Sequence, residues 1–305
     1  MTMRVKTAPL TYTILLTVIV SVIFLISVVV SIISLSNDQC NCSTAKVKYE
    51  LVPQNRKKLI SNKHKLAVLV PYRERFEELL EFAPYMNRFL DSQNVDHDIF
   101  ILNQVDQFRF NRASLINAGF LQVKNDYDYV AMHDVDLLPL NPNLRYTYPE
   151  QPLHLAAPNL HPKYHYEKFI GGILLINSKQ LELVNGLSNR YWGWGLEDDE
   201  FYVRLKDARL NVTRPENITS GVNDTFRHIH GKERKRDSTK CFNQREVTRR
   251  RDRHTGLHDV KFDVVSRKNM EIDGAPLLII NIRLHCNRTA TPWCDCSTKK
   301  GDQKG

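Results

Sequence analysis

Apolar residues are unevenly distributed along the chain, and one long run of them lies near its start. No charged side chain occurs from Thr7 to Asn37, and Leu10 to Leu35 is almost wholly Ile, Val, Leu, Ser and Thr. This run exceeds the ~7–15 apolar residues of a cleaved signal peptide and the ~20 that cross a bilayer. We therefore predict a transmembrane signal anchor at residues 10–35; a buried core helix is the alternative.

The charges around this run predict its orientation. Arg4 and Lys6 precede it and Asp38 follows it, so the positive-inside rule keeps residues 1–9 cytoplasmic and sends the rest of the chain into the lumen. Residues 36–65 are polar and Lys-rich, which predicts a lumenal stem before a folded domain at residues 66–305. Acceptor sequences for N-glycosylation agree with a lumenal address; they stand at Asn41, Asn211, Asn217, Asn223 and Asn287.

Short apolar runs alternate with helical periodicity after the stem. Leu66–Val70, Asp98–Gln104, the run before Asp134 and Phe169–Asn177 predict strands. Helices are predicted at Glu74–Leu90 and Arg112–Val123; in the first, the residues expected to face inward are Phe76, Leu79, Leu80, Ala83, Met86, Phe89 and Leu90. The alternation predicts βαβ units and an α/β fold with a mixed, largely parallel sheet. In such sheets ligands lie beyond the carboxyl ends of the strands.

Candidate metal ligands follow the third strand and recur downstream. Asp134 and Asp136 flank Val135, which we expect to point to the sheet, and carboxylates there suit Mg²⁺ or Mn²⁺ bridging a diphosphate. His228 and His230 are two residues apart, so an extended backbone projects both imidazoles to one face. Nitrogen ligands favour Mn²⁺ over Mg²⁺. A solvated acid pair and surface histidines are the simpler alternatives for each motif alone.

Candidate cations for a phosphorylated substrate lie near the same strand ends. Arg73 and Arg75 follow the first strand and Arg112 opens the second helix, and the guanidinium fork matches phosphate oxygens. No GxGxxG or Walker A loop follows either strand, so binding of a dinucleotide or of a nucleotide in a P-loop is disfavoured.

The stretch YWGWGLEDDE, Tyr191 to Glu200, is the most unusual in the chain. Trp192 and Trp194 offer flat faces that stack on sugar rings, and the acids Glu197, Asp198 and Asp199 can bind hydroxyls or take a proton from one. An acidic helix start after an aromatic turn is the simpler alternative. Gly171 and Gly172 stand in the preceding strand, where a ligand or backbone can approach closely. Together with a metal and a diphosphate, these residues favour glycosyl transfer.

With these motifs in order, the chain from about Lys65 to Ser297 closely resembles the β-1,4-galactosyltransferase family. The resemblance rests on PYRER, FNR, HDVDLLPL, GGILL, WGWGLEDDEF and FRHIH. The sequences HIH and TPWCDCS are similar to the branch that acts on xylosylated proteins, since relatives acting on N-acetylglucosamine carry methionine at the position of His228. The resemblance implies a GT-A fold, UDP-galactose as donor, Mn²⁺, a type II Golgi membrane protein and xylosylated proteoglycan core proteins as acceptors.

The resemblance also implies roles for individual residues. Asp136, His228 and His230 would bind the metal, Asp198 would be the catalytic base, and Glu197 and Asp199 would hold acceptor and donor hydroxyls. Trp194 matches the tryptophan of a mobile loop, and Phe169 stands where relatives commonly carry tyrosine beside the donor sugar. The remaining residues expected to contact the nucleotide sugar are Pro71, Tyr72, Arg73, Glu74, Arg75, Phe110, Asn111, Arg112, Asp134, Val135, Tyr164 and Arg236.

Two alternative functions stay open on the sequence. One is transfer to N-acetylglucosamine, and the other is a lectin-like protein of the same fold that binds sugar without turnover. Processing of nucleic acid by a basic chain is disfavoured by the lumenal address.

The cysteines and the excess positive charge complete the picture. The six cysteines all follow the apolar run, and four of them, Cys241, Cys286, Cys294 and Cys296, are expected to form disulfides; zinc is the rival for the last three. The net charge is +9, and a basic run spans Lys232 to His254. We expect Arg249, Arg250 and Arg251 to form a basic rim that attracts acidic acceptor peptides; a solvated surface is the alternative.

Overall fold

The structure is a computed structural model that describes residues 14, 18–27, 63–231 and 234–297. The chain divides into two units, Met1–Arg56 and Lys57–Gly305. In the first unit, residues 18–27 are helical and their large apolar side chains are exposed. Among the described residues, no helix is both long enough and apolar enough to cross a membrane. The predicted cytoplasmic tail, most of the anchor and stem, and Cys40, Asn41 and Cys42 lie outside the described residues.

The second unit alternates strands and helices over its first half. Its elements are β1 (Lys65–Tyr72), α1 (Phe76–Ser92), β2 (Asp96–Gln104), α2 (Arg112–Val123), β3 (Tyr129–His133), β4 (Leu137–Pro139), β5 (Leu153–His154), β6 (Ile173–Asn177), α3 (Ser178–Leu183), α4 (Glu197–Asp207), β7 (Phe226–His228), α5 (Gln244–Val247), β8 (Phe262–Ile272) and β9 (Ala275–Leu284). The predicted strands and both predicted helices are present, with α2 at the predicted bounds.

A seven-stranded sheet in the order β5-β6-β3-β1-β2-β9-β8 forms the centre of this unit. β1 pairs in parallel with both β2 and β3, and β2 pairs in parallel with β9. The outer pairs are antiparallel: β6 pairs with β3 and β5 with β6 on one side, and β8 pairs with β9 on the other. The α/β fold with a parallel sheet centre is thus confirmed, and its outer strands are antiparallel.

Two apolar cores cover the two faces of the sheet. Strand β1 is buried on both, so Ala67 and Leu69 join one core while Leu66, Val68 and Val70 join the other, as the alternation of side chains along a strand requires. Helix α2 packs into the first core and α1 into the second. This arrangement leaves the carboxyl ends of β1 and β3 free of covering helices.

The predicted inward face of α1 is partly wrong. Phe76 and Leu80 are exposed, whereas Phe82, which the periodicity did not single out, is fully buried. The buried stripe follows Leu79, Phe82, Ala83, Met86 and Leu90 at helical spacing. Phe76 and Leu80 are four residues apart and lie together on one edge of this stripe, beyond the arc that is buried.

Disulfides join the C-terminal part of the second unit. Cys241 bonds to Cys296, and Cys286 bonds to Cys294. These two bonds confirm the predicted disulfides and exclude zinc at Cys286, Cys294 and Cys296. The first bond joins the basic run to residues 291–297, which we call the C-terminal turn.

Candidate active site

A cavity of about 870 Å³ lies beyond the carboxyl ends of β1 and β3. It is lined by most of the residues that the sequence predicted for the site, which are Pro71, Arg73, Glu74, Arg75, Phe110, Arg112, Asp134, Val135, Asp136, Tyr164, Trp194, Glu197, Asp198, Asp199, His228, His230 and Arg236. These residues come from segments far apart in the chain, and the parallel sheet centre brings their loops to one edge.

The candidate metal ligands are assembled by the small sheet of β4 and β7. β4 pairs antiparallel with β7, which sets Leu137 opposite His228, and the Ile229 N–H donates to the Asp136 carbonyl at 2.7 Å. The two imidazole rings stack at 5.3 Å between centroids, with 8° between their planes. Asp136 Oδ2 lies 3.5 Å from His228 Nε2 and 3.2 Å from His230 Nδ1.

This triad has the composition and spacing of a metal site. One ligand atom from each of Asp136, His228 and His230 lies within 4.8 Å of the other two. Burial raises the pKa of Asp136, but the hydrogen bonds and positive charge of the two histidines outweigh it and lower the pKa below its ordinary value. One carboxylate and two imidazoles suit Mn²⁺, which accepts both oxygen and nitrogen ligands.

Asp134 belongs to a different contact. Strand β3 ends at His133, so Asp134, Val135 and Asp136, which we expected at the strand end, lie in the turn that follows it. Arg112 donates to Asp134 Oδ1 at 2.8 Å, and Val135 is buried. Although burial lowers the pKa of Arg112, its neighbours Asp134 and Glu197 raise it above its ordinary value. The two aspartates therefore have different partners: Asp136 faces the histidines and Asp134 faces Arg112.

Glu197, Asp198 and Asp199, followed by Glu200, form the first turn of α4. The helix begins at Glu197, and the backbone reaches it through positive φ angles at Gly193, Gly195 and Leu196. The simpler interpretation, an acidic helix start after an aromatic turn, is thus also correct, since the helix dipole favours negative charge there. The acids nevertheless line the cavity, so helix capping and solvent exposure do not fully account for them.

The surroundings of these acids disfavour their ionised forms. Burial, together with the negative charges of Glu197 and Asp199, raises the pKa of Asp198 to about 8, and the charge of Arg112 offsets only part of this increase. Burial also raises the pKa of Glu197 and of Asp199. Glu197 Oε2 is buried and accepts no hydrogen bond from any residue that the structure describes. An acceptor oxygen with no partner and a carboxylate with a raised pKa both suit contact with a hydroxylated ligand.

Because Gly171 has no side chain, the Asp198 carboxylate can lie close to the turn that precedes β6. A Cβ atom at Gly171 would lie 2.7 Å from Asp198 Oδ2 and 2.7 Å from Phe169 Cε2. The predicted close approach is therefore made by the side chain of Asp198. Both glycines precede β6, which begins at Ile173, so the predicted strand start at Phe169 was early by the length of this turn.

The two tryptophans of the stretch have different surroundings. Trp194 is 47% exposed and lines the cavity, and the Arg236 guanidinium lies 4.9 Å from its ring and 5.5 Å from that of Tyr164. Trp192 is only 3% exposed and packs in the first core, so the prediction that it stacks on a sugar is wrong. Of the two tryptophans, Trp194 is the one that a ligand in the cavity can contact.

Several residues expected to bind phosphate are engaged within the protein. Arg73 donates to the carbonyl oxygens of Gln104, Asp106 and Phe108, and Arg75 donates to Glu78. These contacts orient the loop after β1.

Two predicted residues lie away from the cavity lining. Asn111 is fully buried as the N-cap of α2, where its side chain accepts from the Ser114 N–H, and Tyr72 is half-buried at the end of β1.

Some cavity residues carried no signal in the sequence. Arg109 and Tyr166 line the cavity from loops. His161 also lines it, and its Nδ1 accepts from the N–H groups of Lys163 and Tyr164. Burial lowers the pKa of His161 to about 4, so the ring is neutral. No regular spacing marks these residues, because loops are positioned by tertiary contacts.

Comparison with known proteins shows which family the chain is similar to. Residues 29–149 match the family described as the N-terminal region of glycosyl transferase group 7, and residues 151–230 match that described as the N-terminal domain of galactosyltransferase. The chain is 62% identical over 237 residues to β-1,4-galactosyltransferase 7 of Drosophila melanogaster, covering 77% of this chain and 74% of the relative. It is 52% identical over 237 residues to xylosylprotein 4-β-galactosyltransferase of Caenorhabditis elegans, covering 76% of this chain and 82% of that protein.

Solved structures give the same result. The catalytic domain of the Drosophila β-1,4-galactosyltransferase 7 with xylobiose aligns with a TM-score of 0.76 and 62% identity, covering 77% of this chain and all (100%) of that chain. A variant of that enzyme with manganese, UDP-Gal and xylobiose aligns with a TM-score of 0.76 and 61% identity over the same shares of the two chains, 77% and 100%.

Proposed function

Because the chain belongs to the β-1,4-galactosyltransferase family, we propose that it transfers galactose from UDP-galactose to the 4-hydroxyl of xylose, with inversion. The observation that carries this proposal is the meeting of a metal triad, three acids and one exposed tryptophan in a single cavity. Relatives named for galactosyl transfer to xylosylprotein, and structures containing UDP-Gal and xylobiose, support the choice of substrates.

Asp136, His228 and His230 hold Mn²⁺ in this proposal. Their mixed oxygen and nitrogen atoms, already within 4.8 Å of one another, fit that ion. Bound manganese supplies a Lewis acid that neutralises charge on the diphosphate leaving group. Arg236, stacked on Trp194, is the protein cation closest to that aromatic face and is assigned to the donor.

Asp198 is the general base. It removes the proton from the xylose 4-hydroxyl as that oxygen attacks the anomeric carbon from the face opposite UDP, so one displacement converts the α linkage to β. A base acts best when its pKa lies near the working pH, and the raised pKa of about 8 meets that condition. No covalent enzyme intermediate is needed.

The remaining groups orient the sugars. Glu197, with its buried unpaired oxygen, and Asp199 accept hydrogen bonds from sugar hydroxyls, and Trp194 covers a sugar face. Phe169 is buried beside Gly171 and the Asp198 carboxylate, so it limits the space there without offering a hydroxyl. We assign to Phe169 a steric role against the larger donor N-acetylgalactosamine.

We further assign the natural acceptors to xylosylated proteoglycan core proteins and the location to the Golgi membrane. Residues 10–35 would be the signal anchor of a single-pass type II protein, with residues 66–305 as the lumenal catalytic domain. The apolar run, the N-glycosylation sequences and the two disulfides support this address. Protease protection of the full-length protein in sealed microsomes tests it, because a catalytic domain digested without detergent contradicts the orientation.

An acceptor screen tests the reaction. With UDP-galactose and Mn²⁺, we expect UDP release with a β-xyloside and little with N-acetylglucosamine, and the product linkage is checked by NMR. Transfer to N-acetylglucosamine instead would assign the chain to the other branch. Sugar binding by calorimetry without UDP release would support a lectin-like protein, for which Asp198→Asn would leave binding unchanged.

A further inference from the structure

Arg109 is a buried cation on the cavity wall that has no part in the mechanism above. Its side chain is only 9% exposed, and it precedes Phe110 and α2 in the loop after β2. Residue type and location alone would assign it to a phosphate group. Its hydrogen bonds point elsewhere.

The guanidinium of Arg109 joins three other segments of the chain. Nε donates to Asp237 Oδ2 at 2.6 Å and Nη2 to the Thr239 carbonyl at 2.7 Å. Nη1 donates to Gln244 Oε1 at 2.8 Å and to the Trp293 carbonyl at 3.1 Å. Each of the three guanidinium nitrogens is therefore used within the protein, by the segment 234–240, by α5 and by the C-terminal turn.

Those same groups hold the aromatic loop at residues 192–195. The Trp194 N–H donates to the Asp237 carbonyl at 2.8 Å, and Gln244 Nε2 donates to the Trp192 carbonyl at 2.8 Å. Lys240 Nζ donates to the Trp194 carbonyl at 3.2 Å. A Cβ atom at Gly193 would lie 2.0 Å from Arg109 Nη2, so the loop fits against the guanidinium only with glycine there.

We infer that Arg109 is a positioning residue that holds the segment 234–240 against the aromatic loop, so that Arg236 and Trp194 stay stacked over the cavity. The guanidinium fork can bond several acceptors in fixed directions, whereas a lysine ammonium is a point charge on a flexible stem. The stack of Arg236 on Trp194 joins the two segments at the cavity, and Arg109 joins them behind it. The catalytic part of this inference rests on the proposed function; the structural part does not.

The test compares Arg109→Lys with the wild type and with a matched control, Arg88→Lys, at an exposed residue of α1 that is not part of the cavity lining. In Arg109→Lys we expect kcat/KM for UDP-galactose to fall by about tenfold to a hundredfold, as for displacement of a binding group by ~1 Å. The Mn²⁺ concentration for half-maximal activity stays within about twofold, since the metal ligands lie on other segments, and the control stays within about twofold for both quantities.

A second readout needs no activity. Trypsin cuts after Arg234, Lys235, Arg236 and Lys240, and we expect mass spectrometry to show faster cleavage there in native Arg109→Lys than in wild type or Arg88→Lys. Unchanged cleavage together with unchanged kcat/KM overturns the inference. If wild-type protein transfers no galactose, faster cleavage still supports the positioning role while the proposed function fails.

A milder variant covers the case in which Arg109→Lys does not fold. Asp237→Asn keeps the size of the side chain and removes the charge that faces Arg109 Nε. We expect faster cleavage at the same sites and a smaller loss of kcat/KM. Wild-type cleavage and wild-type kinetics in folded Asp237→Asn overturn the inference.

Discussion

At the scale of the residue, the chemistry depends on a carboxyl group in unfavourable surroundings. Asp198 lies beside Glu197 and Asp199 at the start of α4, and burial raises its pKa to about 8. A surface aspartate, with a pKa near 3.9, would be ionised at neutral pH but too weakly basic to accept a proton from a hydroxyl efficiently. Partly burying this acid lowers the free energy of unfolding, and interactions elsewhere in the fold offset that loss.

Replacing Asp198 by asparagine is expected to lower kcat for transfer by roughly 10²–10⁴-fold, because an amide cannot accept the proton. Binding of UDP is expected to stay close to wild type, since the replaced group faces the acceptor. Steady-state kinetics with a β-xyloside and calorimetry with UDP and Mn²⁺ measure the two quantities. A variant that keeps more than about a tenth of the wild-type kcat would remove Asp198 from the role of base.

The same variant is expected to be more stable than wild type at alkaline pH. The folded-state pKa of Asp198 lies near 8 and the unfolded value near 3.9, so the folded state binds more protons and stability falls as pH rises between them. Asparagine removes this loss. The difference in Tm, variant minus wild type, should grow from pH 5 to pH 8, by about 2–4 °C per kcal/mol for a domain of this size. Thermal melts at constant ionic strength measure it, and a difference that shrinks with pH would contradict the raised pKa.

Replacing His230 by alanine is expected to raise the Mn²⁺ concentration needed for half-maximal activity, by about tenfold or more, since one of three protein ligands is lost. The exposed His258, which lies away from the cavity, provides a matched control. Metal titrations of His230→Ala and His258→Ala make the comparison. An unchanged metal requirement in His230→Ala would show that His230 is not a ligand.

At the scale of the element, the position of the Asp198 carboxylate depends on a turn that contains a glycine, Gly171. Gly171 precedes β6 and lets the Asp198 carboxylate and the Phe169 ring meet above its Cα. Helix α4 fixes the other side of this contact, because Arg204 donates from Nε to Glu200 and from Nη2 to the carbonyls of Asp252 and Thr255. The helix therefore has little freedom to retreat if the turn is filled.

Replacing Gly171 by alanine is expected to lower kcat by about tenfold to a hundredfold, because a Cβ atom there displaces the carboxylate by roughly 1 Å. Gly221, around which a Cβ atom meets nothing within 4 Å, provides the matched control as Gly221→Ala. Kinetics of both variants with a β-xyloside make the test. If the two variants have equal kcat, the contact with Gly171 does not position the base.

At the scale of the whole molecule, the start of the basic run lies beside the cavity, whereas Arg249, Arg250 and Arg251, which we expected to form its rim, do not. Arg234, Lys235, Arg236 and Lys240 line the cavity. Arg249, Arg250 and Arg251 are exposed and do not line it, and Arg250 and Arg251 pair with Glu246 and Asp207. Attraction of an acidic acceptor is screened over a Debye length of ~8–10 Å, so the nearer cations should dominate.

Lys235→Gln is therefore expected to raise KM for an acidic xylosylated peptide, by roughly twofold to tenfold at low salt, and to leave KM for an uncharged xyloside unchanged. The triple change of Arg249, Arg250 and Arg251 to glutamine should have a smaller effect in the same direction. Kinetics on both acceptors at low and high salt separate these outcomes. Equal losses on both acceptors, or a difference that salt does not change, would show that the basic run does not attract acidic acceptors.

The sequence by itself determined the elements of the domain and the chemical character of its site. Periodicity placed α2 at Arg112–Val123, because Leu115, Ile116, Phe120 and Val123 recur at helical spacing, although the structure buries every residue from Ala113 to Phe120. The acids and histidines were recognisable because Asp134 and Asp136, and likewise His228 and His230, are metal-ligand residue types only two positions apart. Each of these signals depends on residues that are close together in the sequence, so the sequence alone is enough to show them.

Only the tertiary structure decided which of these groups meet and which are already engaged. The pairing of β4 with β7 sets His228 beside Asp136, although they are distant in sequence. Burial in the core removed Trp192 from the site, and Arg109 entered it through hydrogen bonds to segments far along the chain. Burial and long-range hydrogen bonds depend on which surfaces pack together, and local spacing contains no record of that packing.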